Sequence, residues 1–151
     1  MLTSIYDNGF LPLEAVDCAS TGTLWVEKPA FTKYVHRVSF IPDADVDTTT
    51  ADAVITISKT PSGGSKTTWA TITIPDNTTA GTEVASKISH TKGTIPALKT
   101  YGNVEISCDD TLTIEVSTAG AGGGAACTGS IKVYAHTMGS VHERFDTQDI
   151  R

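Results

Sequence analysis

The side chains that could do chemistry in this chain fall in a few short stretches. Asp43, Asp45 and Asp47 alternate, with Asp52 close behind. Alternating carboxylates are how a calcium loop presents its oxygen ligands. The EF-hand form is excluded. Its sixth position here is Thr48, where the sharp turn needs glycine, and its twelfth is Val54, where a bidentate glutamate belongs. A looser calcium or magnesium site remains open on these carboxylates, against the plainer reading of a solvated acidic loop. Gly120-Ala121-Gly122-Gly123-Gly124-Ala125 matches the spacing of a dinucleotide fingerprint after a strand-like run. That fingerprint works because a helix N-terminus follows and receives the pyrophosphate. Here Cys127-Thr128-Gly129 leads into another alternating run, so the glycines fit a flexible loop or a close approach between backbones.

The four histidines, His36, His90, His136 and His142, have no zinc-like spacing and no neighbouring cysteine. His36 and His136 fall on strand-like runs that could meet in space. Serines are many, but the nucleophile-elbow pattern is absent. Ser65-Lys66 and Ser86-Lys87 are ordinary polar neighbours, and Asp109-Asp110 sits where a turn favours aspartate for backbone reasons. Trp25, Trp69 and Tyr134 could form an aromatic platform for a sugar. Trp69 lies opposite Ala70, Ile72 and Ile74 in its run, which points it outward; packing or a subunit interface is the favoured use of these rings. No catalytic constellation emerges, and no cofactor or metal site is expected.

The elements that must position these groups are strands. Thr111 to Ser117 puts Leu112, Ile114 and Val116 on one face; Ser130 to His136 puts Ile131, Val133 and Ala135 on one face. A period of two marks a half-buried strand. The two runs, joined by the glycine-rich stretch, are expected to form a long hairpin whose apolar face needs a second sheet. Before them, Thr23 to Glu27 is a short strand ended by Pro29. Lys33 to Ile41 is a longer one, with Tyr34, His36, Val38 and Phe40 on one face and Val35, Arg37 and Ser39 on the other. Ala53 to Lys59 and Thr68 to Ile74 form a hairpin across Thr60 to Lys66, with Ile55, Ile57, Ala70, Ile72 and Ile74 inward. Thr79 to Ser89 reads as a strand, with a single helical turn as the alternative. Asn103 to Ser107 is a strand with Val104 and Ile106 inward.

The expected fold is therefore all-β: an antiparallel β-sandwich or jelly roll of about eight strands, with extended N- and C-terminal arms. Residues 1–22 form the N-terminal arm, 23–137 the sandwich domain and 138–151 a polar C-terminal tail. At 151 residues the chain can bury roughly 70% of its unfolded surface without a staple. Charged residues make up only 19%, and 13 glycines with many threonines suit a β-rich protein with polar loops. Net charge is −6 and no basic run appears, which argues against a nucleic-acid partner. No apolar run approaches the length of a bilayer span, and the first ten residues lack the features of a signal peptide, so a soluble protein made in a cytoplasm is expected. Cys18, Cys108 and Cys127 are odd in number and widely spaced; reduced thiols at packing positions are expected.

The stretch TIPDNTTAGTEVASKI from Thr73, followed later by CDDTLTIEVSTAGAGGGAACTGSIKVYAHT, resembles small β-sandwich decoration (cement) proteins of tailed-bacteriophage capsids. In these a TIP…TAGT turn precedes a strand, and a DTLTIEV strand runs into an alanine- and glycine-rich loop before a final strand. The likeness covers residues 70–137, and Asp109 stands where such families carry glycine. It implies a non-enzymatic virion protein on the capsid surface, often a homotrimer, that binds the major capsid protein. No catalytic residues come with it. Tyr6, Phe10, Leu11 and Leu13 in the arm, and Val141, Arg144 and Phe145 in the tail, are the expected contact residues, because none has a periodic place in a core. A glycan-binding module or another structural component of a phage tail or fibre is the alternative.

Overall fold

The computed structural model describes residues 13–88 and 104–136, the side chains of His36, Lys87, Ile88 and His136 apart. Within them the chain is all strand and loop, with no helix. The strands are β1 (Leu13–Asp17), β2 (Gly22–Glu27), β3 (Lys33–Pro42), β4 (Ala53–Thr60), β5 (Thr67–Ile74), β6 (Val84–Ala85), β7 (Lys87–Ile88), β8 (Val104–Ile106), β9 (Thr111–Thr118) and β10 (Thr128–His136). One sheet runs β1-β10-β3-β6, with β8 also paired to β3; the other runs β2-β9-β4-β5-β7. All pairings are antiparallel. Most connections carry the chain from one sheet to the other, and the resulting order is that of a jelly roll.

The alternating runs supply the core as the sequence predicts. Leu112, Ile114 and Val116 from β9 are buried, as are Ile131, Val133 and Ala135 from β10, Ile55 and Ile57 from β4, and Ala70, Ile72 and Ile74 from β5. They join Val38, Phe40, Val104 and Ile106 in one cluster between the sheets. Each fully buried large aliphatic or aromatic side chain contributes about 1.5–3 kcal/mol, which is what drives the two apolar faces together.

The expected long hairpin does not form. β9 pairs with β2 and β4, while β10 pairs with β1 and β3. The two strands lie in opposite sheets, and the glycine-rich stretch crosses between them. Periodicity marks which face of each strand is apolar, and facing strands satisfy that as well as adjacent ones. The β4–β5 hairpin forms as expected. Of the segment expected as one strand from Thr79, residues 79–82 form a turn closed by the Thr82 N–H donating to the Thr79 carbonyl, and only 84–85 and 87–88 are strand; the chain changes sheets at Ser86, with β6 paired to β3 and β7 to β5. Ser86 anchors the crossing, its N–H donating to the Val38 carbonyl (2.7 Å) and its hydroxyl accepting from the Val38 N–H (3.1 Å).

Three bulges overturn particular expectations. The β4–β5 register shifts between Ile57 and Ser58, so that Ile57 faces Ala70 and Ser58 faces Thr68. Trp69 is the extra residue, and it turns inward beside Ala70 instead of outward. In β3 the register shifts opposite Tyr134 and Ala135, leaving His36 as the extra residue. Val35 and Val38 therefore both point into the core, although strict alternation places them on opposite faces. In β1 the shift lies between Leu13 and Val16, where Ala15 adopts φ of 55°. Residues 13–17, expected to belong to the N-terminal arm, are instead an edge strand of the sandwich, with Val16 buried.

Candidate functional site

The sandwich has two unlike ends. At one end the loops 18–21, 43–52, 75–83 and 119–127 are knitted together. The aspartates whose spacing left a cation site open do the knitting. Asp43 accepts a hydrogen bond from the Thr128 hydroxyl (2.5 Å), Asp45 from the Ala80 N–H (2.8 Å), Asp47 from the Gly124 N–H (2.7 Å) and Asp52 from the Asp76 N–H (3.2 Å). Asp76 accepts from the Thr48 N–H (2.8 Å). Each carboxylate points to a different backbone or hydroxyl donor, so the alternation serves loop closure. Among the described residues no group of three or more His, Cys, Asp or Glu is placed to hold a metal ion.

The glycine-rich stretch belongs to the same network. Ala121 exchanges backbone hydrogen bonds with Ala51, and Ala126 with Asp47. Gly122 (φ 86°) and Gly123 (φ 58°) lie so close to Thr50 and Asp47 that a Cβ at either would overlap them. The glycines thus admit this chain's own 47–51 loop, with no helix behind them to receive a phosphate. Cys18 and Cys127 are buried at this end, while Cys108 is exposed at a turn at the other.

The opposite end holds the 28–32 loop, the turns 61–66 and 107–110, and the end of β10. β10 leaves the sandwich at this end, at His136 opposite Tyr34, whereas the chain enters the short edge strand β1 part-way along the same sheet, with Leu13 opposite Ile131. Phe31 is exposed here at 73%, and Val26, on edge strand β2, at 56%; they are the exposed large hydrophobic residues among those described. Beside them is a polar brace. Lys59 Nζ lies 2.9 Å from Asp110 Oδ2 and donates to the Glu105 carbonyl at 2.8 Å, while the Ser107 N–H donates to Asp110 Oδ2 at 2.8 Å. Burial by itself raises the Asp110 carboxyl, but Lys59 and Ser107 together hold it below its ordinary value. Lys33 lies 3.7 Å from Glu27 across the base of the Phe31 loop.

Of the expected contact residues, Tyr6, Phe10, Leu11, Val141, Arg144 and Phe145 lie outside the described residues. Leu13 is corrected: it sits on β1 and packs partly buried against the core, opposite Ile131. The possible meeting of His36 and His136 falls on side chains outside the description. The aromatic platform is dispersed. Trp69 is fully buried, and Trp25 is half-buried against the core. Tyr134 is on the outer face of β10, with the Arg37 guanidinium 4.0 Å and Lys132 Nζ 5.1 Å from its ring centre. Its hydroxyl donates to Glu83 at 3.1 Å, and Glu83 also pairs with Arg37 at 3.4 Å. The Tyr134 hydroxyl and the Arg37 and Lys132 cations hold the Glu83 carboxyl below its ordinary value. Phe31 escaped the sequence reading; its one signal was a lone aromatic after Pro29 at the mouth of a strand.

The chain matches no protein-family model, no curated protein and no solved structure.

Proposed function

We propose that this chain is a non-enzymatic structural protein of a virion, one that decorates a tailed-phage capsid and stabilises it by binding the shell of its major capsid protein. The observation that carries the reading is the polarity of the sandwich. One end is closed by its own loops through Asp43, Asp45, Asp47 and Asp52. The other end carries exposed Phe31 and Val26 and the point where residues 137–151 leave β10, while residues 1–12 join edge strand β1 part-way along the same sheet. Tyr6, Phe10 and Leu11, with Val141, Arg144 and Phe145, would then add apolar contact area to a surface already begun by Phe31. Segments that gain their contacts on assembly cost little in the free protein and can cover a wide area when bound. The resemblance of residues 70–137 to decoration proteins supplies the partner class, the trimeric state and the virion location. The net charge of −6 favours solubility before assembly.

The glycan-binding alternative loses Trp69 to the core and keeps only Trp25 and Tyr134, which lie on different sheets. The test is sedimentation of the full chain with mature capsids that lack it. Saturable binding at the local three-fold positions is expected, and it should weaken when residues 1–12 are deleted or Phe31 becomes serine. Deletion should stop at residue 12, because Leu13 is part of β1. A folded full chain that does not sediment with capsids would sink the proposal.

A further inference from the structure

Cys18 and Cys127 lie 109 positions apart in the chain. The fold makes them neighbours. The β1–β10 register runs Val16 opposite Gly129 and Asp17 opposite Thr128; one step further sets Cys18 opposite Cys127. The Cys18 N–H donates to the Cys127 carbonyl at 2.8 Å, so the ladder continues through this pair. Directly opposed residues of an antiparallel pair have Cα atoms about 4.5–5.5 Å apart. A disulfide spans Cα separations of about 4.4–6.8 Å. Both side chains are buried, at 0% and 1% exposure, and both thiols are free.

We infer that Cys18 and Cys127 form a redox-responsive pair, which a small-molecule disulfide oxidant converts to a cross-strand disulfide that locks edge strand β1 onto β10. In the first step the Cys127 thiolate attacks one sulfur of the oxidant. A mixed disulfide forms and one small thiolate leaves. Cys18 then loses its proton to solvent and its sulfur attacks Cys127 Sγ. The second small thiolate leaves, and the protein disulfide remains. Two protein thiols lose two electrons, and the oxidant gains them as two thiols.

The order of attack follows from the shared hydrogen. The Cys18 thiol donates toward Cys127, which holds the Cys127 thiol below its ordinary value and pushes Cys18 up. Asp17 nearby raises both thiols, and burial does the same, so attack awaits a local opening. β1 is the element able to open. It is five residues long, lies at a sheet edge, and carries a bulge with Ala15 at φ of 55°. Once formed, the bond would tether the strand through which residues 1–12 join the sandwich. The inference stands on the β1–β10 register and is independent of the capsid reading.

The experiment uses the full chain carrying Cys108→Ser, which removes the exposed thiol without touching the core. The protein is equilibrated with oxidised glutathione, free thiols are alkylated, and the digest is mapped without reduction. The expected product is one peptide pair linking Cys18 to Cys127, about 2 Da lighter than the reduced pair, and restored by dithiothreitol. The oxidised chain should melt about 10 °C above the reduced one, because the bond closes a long loop. Glutathione adducts alone, or two alkylated cysteines after oxidation under conditions where β1 exchanges its amide hydrogens, would overturn the pairing. A melting point no higher after bond formation would overturn the locking role.

Discussion

Replacing Trp69 measures how far a single bulge commits this sandwich. Trp69 is fully buried, and its indole N–H has no hydrogen-bond partner. A tryptophan buries about 200 Å² on folding, worth about 5 kcal/mol at about 25 cal/mol per Å². The unfolded chain already hides part of that area, and alanine keeps a little of it. The unpartnered N–H subtracts about 1–3 kcal/mol of desolvation cost from what the ring contributes. Trp69→Ala should therefore cost about 3 kcal/mol, at the lower edge of aromatic truncations because the N–H penalty disappears with the ring. Trp69→Phe keeps most of the apolar area and also removes the N–H, so it should cost under about 1.5 kcal/mol. Equilibrium urea unfolding, followed by far-ultraviolet circular dichroism, reads both values without relying on tryptophan fluorescence. A separate check is emission: the blue-shifted component should vanish in either variant. If Trp69→Ala lost less than about 1 kcal/mol, the inward turn at the β4–β5 bulge would be refuted. The ring would then be outward, as strict alternation has it, and the aromatic-platform reading would regain its second tryptophan.

Three further outcomes follow from the loops and the brace. Asp110→Asn should destabilise by about 3 kcal/mol at neutral pH, since it leaves the largely buried Lys59 ammonium without its counter-charge. Asp110 is held below its ordinary value of 3.8 in the folded state, so its contribution is complete above that pH and fades as pH falls through the lower folded value. Wild type and variant should accordingly converge in acid, and a difference that stayed constant from pH 7 to pH 2 would contradict the brace. Gly122→Ala should cost about 2–4 kcal/mol in a thermal melt, because it combines φ of 86° with overlap on Thr50; a neutral result would mean that the 47–51 loop can withdraw. Millimolar calcium should leave the melting temperature unchanged, since Asp43, Asp45, Asp47 and Asp52 are directed at separate donors, whereas a saturable rise would restore a cation site.

Much of the fold was legible before any coordinates. The alternation of Leu112, Ile114 and Val116, and of Ile131, Val133 and Ala135, located the two apolar faces correctly. The β4–β5 hairpin was readable because Pro61, Gly63 and Gly64 mark a turn between two runs in phase. A period of two reports the face of a strand and is silent about its neighbour. For that reason β9 and β10 could be taken as partners, when the core places them in opposite sheets. It is also blind to a bulge, which shifts the phase by one residue with no compositional mark; Trp69 and Val35 each end on the face opposite to the one alternation assigns.

The candidate surface was less legible than the fold. Asp43, Asp45 and Asp47 carry the spacing of ligands, yet their roles depend on whether their oxygens converge, and that is set by where Thr128, Ala80 and Gly124 arrive from distant parts of the chain. Leu13 looked aperiodic because the bulge at Ala15 breaks the count within a five-residue strand. The exposure of Phe31 and the meeting of Cys18 with Cys127 are properties of strand order. By itself the sequence determined that the protein is all-β, which faces of its strands are apolar and where most turns fall, because those follow from local side-chain periodicity and turn chemistry. Only the tertiary structure decided which strands are neighbours, where the phase slips and which distant residues meet, because packing two sheets against each other selects among pairings that local pattern leaves equal.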